Sequence, residues 1–293
     1  HVVLDVPALH VCHRSSDRRC SSDGYSAYLH TYCTYDGMKA VRLNGHKVEL
    51  YNSIEELPIV RFHKYNKCLL VDAGVGSDLT AFDSHIERVV RYIRADKREE
   101  AAKEMENLRQ NVYLIIQGMS PQHLAFACLV ARIDGKPVTD LSDEGLQDVL
   151  KQLGGTQLKD ITAHAEAVKK KIDDELSLYF PAIFDDAKSK EFYDLMKERT
   201  CAMLSCIIDG DTKERAERVE QLTDSLLTFS KPKQFTGKDS IEIGYDKQFE
   251  NMCLIISQNL HTDAKKMTVL EYYNAYQYIE KQTKEQKRQN KAR

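Results

Sequence analysis

The chain contains no tryptophan and only six prolines and thirteen glycines in 293 residues. That scarcity of breakers and turn formers excludes collagen-like and low-complexity architectures and leaves room for long regular elements. No stretch approaches the ~18 consecutive apolar residues of a membrane-spanning helix. No sign of charge dominates either, with 42 Lys and Arg against 45 Asp and Glu. Attraction to nucleic acid or to an anionic membrane would therefore need a local patch. Also missing are H-E-x-x-H, G-x-S-x-G, C-x-x-C and a P-loop, so the strong catalytic and phosphate-binding signatures are absent. Gly237-Lys238 lacks both the upstream glycine and the following Ser or Thr of a P-loop.

What is present is a chain with 42% hydrophobic and 30% charged residues, long enough to bury a core without metals or disulfides. The composition predicts a soluble, mainly α protein of the cytoplasm. Eight cysteines without a signal segment read as reduced thiols. Three of them, Cys12, Cys20 and Cys33, fall in residues 1–37, which begin on His1 and show no helical or alternating period. This segment reads as a leader or upstream translation with little order of its own. A zinc site from His10, Cys12, His13, Cys20, His30 and Cys33 has only His30 and Cys33 at chelating spacing, so no metal is expected.

At Met38 the pattern changes. Val41 and Leu43 share one face, Asn44-Gly45 supplies the positive-φ pair of a type I′ turn, and Val48 and Leu50 resume the alternation, which predicts a β-hairpin. The ten residues LLVDAGVGSD at 69–78 then raise a choice between a cofactor loop and a helix end. Asp72, Gly74 and Gly76 sit as in the first motif of SAM-dependent methyltransferases, but Asp78 holds the third glycine position. The second strand such a fold needs is also missing, because residues 97–117 form a charged amphipathic helix. The positive account is a helical stripe through Ile59, Phe62, Asn66, Leu69 and Ala73, with Gly74 in the left-handed cap position. Ser77 or Asp78 would cap a next helix carrying Phe82, Ile86, Val89, Val90 and Ile93 at i, i+4, i+7, i+8 and i+11. No cofactor is expected.

Further stripes predict a helix over 97–117, a buried segment through Leu124 to Val130, a turn at 133–136, and a helix capped by Leu141-Ser142-Asp143-Glu144. Others follow over 156–180, stopped by Pro181, over 185–208, and through Val219, Leu222 and Leu226. Cys201 and Cys206 read as buried thiols on different faces. Residues 230–248 read as a linker with an extended piece at 240–243. Beyond it, Phe249, Met252, Cys253, Ile256 and Leu260 form one face, Thr268 to Glu271 has capping-box spacing, and Tyr272, Tyr273, Tyr276 and Ile279 continue as an aromatic helix. The expected organisation is 1–37 apart, 38–229 as hairpin plus multi-helix bundle, 230–248 as linker and 249–293 as a small C-terminal helical unit. The last fourteen residues hold six Lys or Arg and read as a solvated, frayed helix end.

The stretch VRLNGHKVELY running into SIEELPIVRFHKYNK, and the closing KKMTVLEYYNAYQYIEKQTKEQK, resemble proteins from the tail and virion modules of tailed bacteriophages. The likeness is strongest to tail assembly chaperone-like proteins, where a helical segment of the M-T-x-x-E-[FY] kind precedes a Lys-rich end. It covers the hairpin region and residues 265–287, and the chain is considerably longer than typical small tail chaperones. The resemblance implies a non-enzymatic protein of the host cytoplasm or the virion, whose partners are phage tail or virion proteins. Tyr272, Tyr273 and Tyr276 are then the candidate partner-binding residues, against the alternative that they pack inside a bundle. Two competing readings are a methyltransferase-like enzyme using residues 69–78 and a DNA-associated phage or mobile-element factor using the basic tail. A SAM or nucleotide shift in melting temperature would mark the first, and salt-dependent DNA retention lost on deleting 280–293 the second.

Overall fold

The computed structural model describes residues 38–73, 75, 79–154, 158–184, 187–229, 232–235, 237–238 and 240–292. The leader, the Gly74 cap, the capping pair Ser77 and Asp78, and the candidate zinc ligands all lie outside them. The described chain is mainly helical, with eleven α-helices and one small antiparallel sheet.

Strands β1 (Met38–Leu43) and β2 (His46–Tyr51) form the expected hairpin, with Leu43 opposite His46 and Met38 opposite Tyr51. Asn44 and Gly45 take φ of 47° and 86°, the type I′ geometry that matches strand twist. Gly45→Val, which puts a β-branched side chain at that positive φ, is expected to cost more than ~1 kcal/mol in a urea titration. The chain then turns through Ser53 and Leu57, where Glu175 Oε2 accepts from Ser53 Oγ at 3.0 Å and from the Ile54 amide at 2.8 Å.

Helix α1 (Ile59–Val71) starts after Pro58 and is followed by α2 (Leu79–Arg94), α3 (Arg98–Ile116) and α4 (Pro121–Leu129). The last residue of α4 runs straight into β3 (Val130–Ile133), which turns back as β4 (Lys136–Pro137). Strand order is β1-β2-β3-β4, all antiparallel, with a bulge where β2 meets β3 at Glu49 and Leu50. Four helices are thus inserted between two neighbouring strands.

Helix α5 (Asp143–Gln152) is capped by Ser142, whose hydroxyl accepts from the Gly145 amide at 3.1 Å. Then come α6 (Leu158–Tyr179), the single turn α7 (Pro181–Phe184), α8 (Ala187–Asp209) and α9 (Lys213–Phe229). Pro181 ends α6 and opens α7, since its missing N–H is no loss at a first helical position. Helix α10 (Ile241–Leu260), a 3-10 turn (Ala264–Lys266) and α11 (Val269–Ala292) close the described chain. The extended piece expected at 240–243 is instead the first turn of α10, whose alternating apolar opening Ile241-Glu242-Ile243 imitates a strand. The capping box is formed as expected. Glu271 Oε2 accepts from the Thr268 amide at 2.9 Å and Thr268 Oγ1 from the Glu271 amide at 3.3 Å.

One core joins the hairpin, α1, α4, α5, α6, α10 and α11, through residues such as Leu50, Phe62, Phe126, Ile172, Ile256 and Val269. The C-terminal helices therefore share one core with the N-terminal strands. The backbone ties them as well: Ile59 donates to the Met267 carbonyl, Val269 to Leu57 and Leu270 to Ile54, at 2.9, 2.9 and 3.0 Å. Helices α2 and α3 pair outside this core around Val89, Tyr92 and Ala101. The α8–α9 hairpin meets α2 through Arg91, which binds Glu220 at 2.6 Å.

Candidate functional site

The three tyrosines of α11 do not form one exposed surface. Tyr272 is buried, and Tyr273 lies among Phe62, Phe180, Phe184 and Tyr272, with ring centroids 5.1 to 6.5 Å away. Burial raises the pKa of both phenols well above the ordinary value. Tyr276 is half-buried. Two of the three residues singled out by the sequence therefore work as core packing, and a partner surface must be sought elsewhere.

The loop region after α1 answers to a polar cluster on the neighbouring helices. Leu69 to Val71 are the last turn of α1, so the loop leaves a helix where a cofactor-binding motif would leave a strand. Its orphaned backbone groups are met by side chains. Asn111 Nδ2 donates to the Val71 carbonyl at 2.8 Å, and Asn111 Oδ1 accepts from the Ala73 amide at 2.8 Å. His85 Nε2 reaches the Ala73 carbonyl at 2.8 Å, Lys233 Nζ the Leu70 carbonyl, and Gln122 Nε2 donates to Asp72 Oδ2 at 3.0 Å. Behind them Glu104, 1% exposed, holds His85 Nδ1 at 2.5 Å and Arg88 Nη2 at 2.9 Å on one oxygen. The arrangement ties the end of α1 to side chains of α2 and α3. None of these polar residues of α3 stood out in the sequence. The available signal was their spacing, because Glu104, Asn107 and Asn111 share the buried face with Leu108 at i, i+3, i+7 and i+4.

A second polar group joins α1 to α10. The His63 ring stacks between Tyr245 and Phe249, at 4.5 and 4.0 Å with interplanar angles of 6° and 12°. Its Nε2 donates to Asp246 Oδ1 at 2.9 Å, while Lys67 Nζ donates to Asp246 Oδ2 at 2.6 Å. Burial lowers the His63 pKa, only partly offset by Asp246. The unfolded chain thus binds the proton more readily than the folded one. Stability contributed by this group is complete above the unfolded histidine value of about 6.5 and is lost as pH falls through the lower folded value. His63→Gln is expected to flatten the stability profile below about pH 6.5, as read from urea midpoints, whereas an unchanged slope would refute this placement of the proton.

The remaining groups are dispersed. Cys201 is exposed and Cys206 half-buried, contrary to the buried pair expected. Among the described residues no three His, Cys, Asp or Glu side chains are grouped to hold a metal ion, and no helix is long and apolar enough to cross a membrane. Residues Glu280 to Asn290 are exposed but continue α11 as regular helix, where the sequence suggested fraying.

The largest unexplained feature is apolar surface. Three side chains of α2, three of α3 and five of α8 are large hydrophobics more than a third exposed, with Ile207 and Ile208 at 76%. No family model, no curated protein and no solved structure matches the chain.

Proposed function

We propose that this chain is a non-enzymatic binding protein of tailed-phage tail or virion assembly, acting as an assembly chaperone or a minor structural component. One observation carries the binding part of the reading: eleven large hydrophobic side chains stand uncovered on α2, α3 and α8, outside the common core. Large exposed hydrophobic side chains in such number point to interaction sites. The phage setting rests on the sequence resemblance of the hairpin region, residues 41–67, and of about the last thirty residues. The binding surface moves from the tyrosines of α11 to the outer helices.

The test is quantitative. Tagged chain is isolated from cells producing the particles, and its companions are measured by peptide mass spectrometry beside purified particles. Phage tail or virion proteins should accompany the wild type in fixed proportion and fall away with Leu204→Asp. Isolation of the chain without any phage structural protein would sink the reading.

A further inference from the structure

Ile279 of α11 still packs against the core, but from Glu280 to Asn290 every residue of the helix is exposed. Lys281, Lys284, Lys287 and Arg288 fall at i, i+3, i+6 and i+7. At 3.6 residues per turn they share an arc of about 120° of the helix circumference. Gln282, Thr283, Gln286, Gln289 and Asn290 fill the remainder with uncharged side chains. The helix end is thus divided by charge, where the sequence alone showed only a run rich in lysine.

Two carboxylates bear on that face. Glu280 is engaged by Lys284 at 2.7 Å, an exposed pair of the kind that holds weakly. Glu285 lies about 40° beyond Lys281, outside the arc. Lys281, Lys287 and Arg288 make no ion pair among the described residues. The last fourteen residues hold six Lys or Arg against two Glu, a net +4 in a chain whose total is −3. Residues 1–279 therefore carry −7, and the positive excess is confined to this helix end.

A polyanion is the complementary partner, and three features choose among polyanions. No residue from Glu280 to Arg293 is aromatic, so a single strand finds no ring there on which to stack its bases. Ala292 is the only apolar residue in the same stretch, so the segment has no apolar face to lay into a lipid surface. An α-helix exposed on all sides fits the ~12 Å major groove of B-form DNA, whereas the major groove of an RNA helix is too narrow to admit it.

We propose that residues 280–290 of α11 bind the phosphate backbone of duplex DNA, whatever its base sequence, through Lys281, Lys284, Lys287 and Arg288. These cations span ~10 Å along the helix axis, a length over which a duplex presents about six phosphates. The proposal gives the basic helix end a ligand that the assembly reading leaves it without, and it does not depend on that reading.

Fluorescence anisotropy of the full chain with a short labelled duplex of arbitrary sequence tests it. Affinity should fall roughly fifty- to a hundredfold between about 50 and 200 mM salt, the counterion release of three to four phosphate contacts. Lys281→Gln, Lys284→Gln, Lys287→Gln and Arg288→Gln combined, all at exposed positions and checked for folding by circular dichroism, should weaken binding more than about tenfold at the lower salt and flatten its salt dependence. Arg94→Gln, Lys97→Gln, Arg109→Gln and Lys136→Gln combined, also at exposed positions, change the net charge equally and should leave binding close to wild type. A wild type that does not bind at the lower salt, unchanged binding by the first variant, or an equal loss in the second would each overturn the proposal. So would tighter binding to an RNA duplex or a single strand of the same length, or to vesicles of phosphatidylcholine containing phosphatidylserine. If the chain binds no DNA yet phage proteins still accompany it and leave with Leu204→Asp, this proposal fails and the assembly reading stands. DNA binding by a chain without phage companions does the reverse.

Discussion

Glu104→Ala is expected to lower unfolding stability by about 3–5 kcal/mol, the usual cost of removing one partner from a buried charged cluster. Glu104 receives both His85 and Arg88 on one oxygen, and its side chain is almost completely shielded from water. Alanine removes the one carboxylate that both His85 and Arg88 contact and leaves the Arg88 guanidinium without its anion. The damage spreads, because the same His85 and its neighbour Asn111 hold the backbone at Ala73. A urea midpoint that drops with an unchanged denaturant slope would establish the loss. Glu104→Gln, which keeps an acceptor in place, should cost distinctly less. Equal stability of wild type and the alanine variant would remove the cluster from the account of how α1 turns into α2.

The second large effect lies at Arg61. Its guanidinium is buried between α1 and the sheet, where Nη1 donates to the carbonyls of Cys128 and Val130 at 3.1 and 3.0 Å and Nη2 donates to that of Val138. The Tyr51 ring lies 5.3 Å from the guanidinium carbon. The Cys128 and Val130 carbonyls lie where α4 ends and β3 begins, a junction with no intervening loop, so the arginine supplies donors that a helix continuation would have supplied, and Val138 lies just past β4. Arg61→Ala strands at least two buried acceptors and should cost roughly 3–5 kcal/mol. Arg61→Lys should recover under half of that, because one ammonium cannot span three carbonyls set for a planar fork. Full recovery by lysine in the same urea titration would show that charge alone matters there.

Local signals in the sequence were sufficient where one segment determines its own structure. The hairpin follows from Asn44-Gly45 between alternating residues, the α5 cap from Ser142, and the start of α11 from the Thr268 and Glu271 box. The mainly α class followed from the stripes of α1, α2 and α3 in the same way. What escaped needed partners distant in the chain. Strand β3 is four residues long, buried on three of them and fused to a helix, so neither length nor period sets it apart. Its assignment depends on β2, some eighty positions earlier. The face of α11 was ambiguous for a related reason. A helix with Tyr272, Tyr273 and Tyr276 on it can turn them outward or inward, and only Phe62, Phe180 and Phe184 decide. The polar cluster on α3 was hidden among ordinary charged residues of an amphipathic helix, since burial of Glu104 comes from α2 and the chain above it. The stripe of α2, by contrast, was legible residue by residue, and the structure adds that most of it faces outward.

The hydrogen bonds between residues 54–59 and 267–270 have a consequence for the order of events during synthesis. The chain emerges from its N-terminus, and domains generally fold as units. Here the first hairpin and α1 are made early, while Val269 and Tyr272, which share their core, are made about two hundred residues later. Until then Leu57, Ile59 and Phe62 lack the part of their packing that the C-terminal residues supply. A chain ending before residue 267 would lack the hydrogen bonds to residues 54–59 and could not complete this core.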